Sequence, residues 1–174
     1  MSTYKDQKAD KPKIEDVAGK YLAGDNLTNL LDFLSFLKDN RLNPRWDYTN
    51  RWSFNYKSKK VCYISISDSE NAWTFFPQGI SLKSTDKWFE EYNRHITDGG
   101  VKELVWSNLY NKECKGGKCK GLVNHEIMGR VFDRVCFCWS IRIKNPDSAA
   151  LDNSKKLVIA IKTIIADSVT ACKA

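Results

Sequence analysis

The chain predicts an α+β fold: an antiparallel sheet of about four to five strands packed against helices, with N-terminal helices and a long C-terminal helix. Three observations carry this. Leu27, Leu30, Leu31, Leu34 and Leu37 recur at helical spacing. Trp52, Phe54 and Tyr56 alternate with Ser53 and Asn55 at a period of two, and polar turns divide the next twenty or so residues into further short strands. Near the C-terminus Leu157, Ile161, Ile164 and Ile165 form one apolar stripe, as on a helix docked against a sheet.

The elements run in order along the chain. Residues 1–13 are a polar leader without an apolar stretch, so no secretory signal is expected. Residues 14–174 read as one domain, long enough to bury a core without disulfides. Ile14 to Ala23 predicts a short helix that Gly24 ends. The leucine helix comes next and closes at Asn40 to Pro44. Three strands succeed it, around Trp52–Tyr56, Val61–Ser67 and Ala72–Phe76, with turns at Lys57–Lys60 and Asp68–Asn71. Ser84 caps a helix to about Thr97, and Val101 to Tyr110 predicts another. Arg134 to Lys144 reads as one strand, with Val135, Phe137, Trp139, Ile141 and Ile143 on one face and Cys136, Cys138, Ser140 and Arg142 on the other. The last helix spans about Ala149 to Thr170.

Composition bounds the function. The net charge is +7, which suits an anionic partner, but 28 Lys and Arg are interspersed with 21 acids and form no block. No apolar run approaches bilayer-spanning length, and a cytoplasmic, reducing setting is expected. No G-x-G-x-x-G, P-loop, G-x-S-x-G or H-E-x-x-H motif is present, which points away from an enzyme.

Cysteines form the main candidate site. Cys114 and Cys119 bracket Gly116-Gly117, and Cys136 and Cys138 stand further along on one strand face. Two such strand cysteines stand about 6.5–7 Å apart, at the limit for a mutual disulfide, but both can face a third body. Four thiolates at about 2.3 Å suit Zn²⁺, and Lys115, Lys118 and Lys120 favour the thiolate form. Three readings stay open: structural zinc on Cys114, Cys119, Cys136 and Cys138, a redox-active or disulfide-forming pair at Cys114 and Cys119, or unliganded thiols. His125 is an alternative ligand or a loop residue. His95 reads as structural near a helix end, and Cys62 and Cys172 as small core residues.

A second candidate is the aromatic meander. Trp52, Tyr56, Tyr63 and Trp73 are assigned as lining of a ligand pocket between sheet and helices. With Phe54, Phe75, Phe76, Lys57, Lys59 and Lys60 nearby, the same region offers a stacking platform for bases or, alternatively, simply the core.

The segment Gly129-Arg-Val-Phe-Asp-Arg-Val-Cys136, with Asn145-Pro146-Asp147 and Lys155-Lys156-Leu157 after it, resembles a set of uncharacterised bacterial proteins with a Cys-bearing, Gly-rich loop before such a segment. The stretch from Tyr56-Lys57 to Phe76-Pro77 resembles small YdhG-like α+β domains, some linked to iron handling. The resemblance implies a helix-covered sheet and groups Cys114, Cys119 and Cys136 in one feature; it implies no activity. The chain is thus expected to be a small-molecule or protein-binding module with a zinc-clamped loop. A thiol-based or metal-dependent enzyme or sensor is the alternative, and a single-stranded nucleic-acid binder the third reading.

Overall fold

The computed structural model describes residues 4–78, 86–109, 122–136 and 141–171. They form α1 (Tyr4–Asp10), α2 (Ile14–Tyr21), α3 (Gly24–Asp39), β1 (Pro44–Tyr48), β2 (Arg51–Tyr56), β3 (Lys59–Ile66), β4 (Trp73–Pro77), α4 (Asp86–His95), α5 (Gly99–Ser107), β5 (Leu122–Ile127), β6 (Arg130–Cys136), β7 (Ile143–Lys144) and α6 (Ser148–Ala171). The fold is α+β, as expected. One antiparallel sheet has the order β1-β2-β3-β4-β7, and β5 and β6 form a separate hairpin.

The two-residue period of the strands sorts the sheet into unlike faces. On the inner face one row of cross-strand partners runs Trp46, Trp52, Ile64, Phe75, Ile143. Trp52, Ile64, Phe75 and Ile143 are buried. Helix α3 meets this face through Phe33, whose ring stands edge-on to Phe75 at 5.0 Å and beside Trp73 at 5.9 Å. Ile14, Val17 and Ala18 of α2 join the same core, as do Leu157, Val158, Ile161, Ile164 and Ile165 of α6. Cys62 sits there as a small apolar residue, and burial pushes its thiol far up.

Several elements depart from the sequence expectation. The polar leader contains α1, which docks on β1 through Gln7 and through the Tyr4 ring, 4.9 Å from that of Tyr48 and 5.9 Å from that of Trp46. Buried Gln7 accepts from the Asn50 N–H (2.8 Å) and from Trp46 Nε1 (3.3 Å), and donates to Asn50 Oδ1 (2.6 Å). A lone amide in a polar stretch has no periodicity to reveal it. Strand β1, where no strand is expected from sequence, is an edge strand opening on Pro44, where a missing N–H is tolerated. The single strand expected over 134–144 is two elements: β6 pairs with β5, whereas β7 pairs with β4, and residues 137–140 lie outside the described residues. Met128 and Gly129, both with positive φ, make the tight turn that joins β5 to β6.

Asn145-Pro146-Asp147 has a structural account. Asn145, at φ +44°, bonds through its N–H and its Oδ1 to the backbone of Trp73 and so ends β7 against β4. Asp147 then caps α6 by accepting from the Ala150 N–H at 2.8 Å. Asp98 caps α5 and also binds Lys156 of α6; that ammonium first, then the Val101 and Gly100 N–H groups, hold its carboxyl below the usual range. Among the described residues no helix is long and apolar enough to cross a membrane.

If the two faces differ as described, Phe33→Ala should lower the unfolding free energy by about 3–5 kcal/mol, as expected for an aromatic removed from a core. Tyr63→Ala, on the other face, should cost less than about 1.5 kcal/mol. Urea unfolding of both variants checks this; equal losses would contradict it.

Candidate functional site

The outer face of the sheet has a different chemistry. One row of cross-strand partners is Arg45, Ser53, Tyr63, Phe76; the next is Tyr48, Arg51, Ser65, Thr74, Lys144. Tyr63 and Phe76 are direct neighbours on β3 and β4, and both are half-buried. Cations surround them. The Arg51 guanidinium stands 5.1 Å from the Tyr63 ring centre and 5.5 Å from that of Tyr48. Lys60 Nζ stands 3.9 Å from the Tyr63 ring centre and donates to its hydroxyl. The Arg142 guanidinium lies 5.7 Å from Phe76. Arg45 and Lys144 are exposed at the margins.

Among the described residues the carboxylates of Asp47 and Glu70 pair with two of these five cations. Asp47 accepts from Arg51 Nε and Nη2 at 2.9 Å, and Glu70 accepts from Lys144 at 2.6 Å. The Lys144 hydrogen bond and charge hold the Glu70 carboxyl below its usual range. Among the described residues, cations thus outnumber carboxylates around this aromatic pair.

The β2–β3 turn adds to it. Lys57 and Ser58 both adopt positive φ, +46° and +62°, where Asn-Gly is the unstrained choice. Left-handed backbone costs an ordinary residue about 1 kcal/mol or more, so the turn holds strain at both positions. Exposed Lys59 comes next, beside Lys60.

A cleft of about 870 Å³ opens beside β1, between that edge and the α1–α2 connection. Lys11, Lys13, Lys38, Arg45, Trp46 and Trp52 line it, with Glu15 and Asp16. Partial burial pushes the Glu15 carboxyl up, yet the hydrogen bond from Lys38, its backbone contact and the charges of Lys38 and Lys13 outweigh this and hold it below its usual range. The local field is positive.

The four aromatic residues expected to line one pocket do not share a face. Trp52 and Trp73 are each 1% exposed and belong to the inner core, although the Trp52 edge reaches the cleft, where its Nε1 donates to the Pro12 carbonyl at 3.0 Å. Tyr56 is half-buried against that core, with Lys57 and Lys162 near its ring. Only Tyr63 is on the outer face. The reason is parity: residues 52, 54 and 56 alternate onto one side, whereas Tyr63 pairs with Ser53, on the other. Phe76 belongs to the aromatic group read from the sequence, whereas Arg45, Arg51, Arg142 and Lys144 carry no site signal there. The signal was the polar phase of each strand, visible only once neighbouring strands are in register.

Of the cysteine site, Cys114, Cys119 and Cys138 lie outside the described residues, as does Cys172, and Cys136 is described only in its backbone, in β6. Among the described residues no group of three or more His, Cys, Asp and Glu side chains gathers to hold a metal. His95 lies near Glu91 (3.5 Å) and Asp167 (3.7 Å), joining α4 to α6.

Comparison with protein-family models, with curated proteins and with solved structures finds no match to this chain.

Proposed function

We propose that this protein is a non-enzymatic binding module for single-stranded nucleic acid, held on the outer face of its five-stranded sheet. The observation that carries the reading is the Tyr63–Phe76 cross-strand pair set among Arg45, Arg51, Lys60, Arg142 and Lys144. Nucleobases stack on aromatic rings whatever their sequence, and cations beside the rings meet the phosphates. Arg51 and Lys60 keep the Tyr63 ring in place in the free protein and turn to phosphate when a base takes the ring. The overall +7 charge adds attraction at long range. A small neutral ligand fits less well, since the inner-face aromatics are engaged in packing.

Binding should be measured by fluorescence anisotropy with oligothymidylate and oligouridylate of about twelve nucleotides. Affinity should fall steeply as salt rises from about 50 to 200 mM. Tyr63→Ala should weaken binding by about 1–3 kcal/mol, a factor of roughly 5 to 150. Absence of binding to either strand, or binding indifferent to Tyr63, would contradict the proposal.

One observation favours a second feature beside the first, a structural zinc on Cys114, Cys119, Cys136 and Cys138. Strand β5 begins at Leu122, whose cross-strand partner is Cys136, and Cys119 stands three residues earlier in the chain. The cysteine loop thus leads directly into the strand that pairs with β6. Such a site closes with four thiolates and serves stability, not catalysis. Protein purified without added metal should then carry close to one zinc per chain, and Cys136→Ser should release it. A metal-free protein with its native thermal stability would exclude this reading.

A further inference from the structure

The cleft beside β1 is lined by cations and an indole, and it touches the outer face. Arg45 makes the junction: it belongs to the outer row with Ser53, Tyr63 and Phe76, and it also lines the cleft. Across the opening stand Lys11 and Lys13, both exposed, in the connection between α1 and α2. Lys38 is ion-paired with Glu15, whose carboxyl also feels the Lys13 charge, and Lys11, Lys13 and Arg45 are the exposed cations that line the cleft beside that pair. Trp46, half-buried, lines the cleft with its indole, whose Nε1 is held by Gln7 and beside which the Tyr4 ring stands at 5.9 Å.

Resting on the sheet-face reading, we infer that the cleft is a second subsite for the same strand, which crosses β1 at Arg45 and places its next phosphates between Lys11 and Lys13 with a base against Trp46. The sheet rows hold about two or three bases, as one aromatic pair allows. The cleft lengthens the occupied site beyond that. It also sets the side on which the strand leaves the sheet, since Arg45 belongs to β1, one of the two edge strands.

The test uses the whole chain and oligothymidylates of increasing length. In the unaltered protein, affinity should keep rising from about three to about eight nucleotides. The double variant Lys11→Gln, Lys13→Gln should bind the three-nucleotide ligand within about twofold of the unaltered protein and lose about tenfold on the eight-nucleotide one. Its salt slope on the longer ligand should shrink by about 1.4, the release expected for two phosphate contacts to a single strand. Unchanged melting of the variant excludes a folding defect. Equal affinity and slope on the longer ligand, with Tyr63→Ala still impairing binding, would overturn the cleft subsite and leave the sheet face standing. Failure of the unaltered protein to bind any length would overturn both.

Discussion

The alternation of side chains across the sheet is the constraint on which everything else depends. Each strand from β2 to β4 carries a bulky apolar phase and a polar or aromatic-cationic phase, and the register aligns like with like. Trp52, Ile64 and Phe75 stack into one row, and Phe33 from α3 closes on that row. The direction in which the helices pack is thereby set. A slip of one residue in β3 would turn Tyr63 inward and Ile64 outward, with a cost spread over the whole core. The outer rows owe their position to the inner ones, so the candidate site and the hydrophobic core are two consequences of one register.

Much of this was legible in the sequence, for physical reasons that differ by element. The leucine repeat of α3, the stripe of α6 and the alternation in β2 are strong periodic signals, and each appears where expected. The elements that escaped notice have local causes. Helix α1 depends on a buried glutamine reaching Asn50 and Trp46 and on Tyr4 against Trp46 and Tyr48, tertiary contacts without a sequence period. The run over 134–144 carries an unbroken alternation, yet β6 belongs to a hairpin and β7 to the main sheet. Period says that residues are extended; it does not say with which strand they pair.

The candidate site shows the same limit more sharply. The aromatic residues of the meander stand out as a group, but their division into core and surface depends on parity between strands. Tyr63 and Phe76 become neighbours only through the β3–β4 register, across a turn whose length fixes which residues meet. The cations come from further away still: Arg45 from β1, Arg51 from β2, Arg142 and Lys144 from the end of the chain's sheet. No spacing in the sequence unites them.

The central claim is that the two faces of one sheet divide labour, packing on one side and ligand on the other. Nuclear magnetic resonance titration of the labelled protein with single-stranded oligothymidylate tests it most directly. The account predicts shifts that alternate along β3 and β4, large at Tyr63, Ser65, Thr74 and Phe76 and small at Ile64 and Phe75. Shifts that cluster in the β5–β6 hairpin, or that fall equally on both phases of the strands, would contradict it.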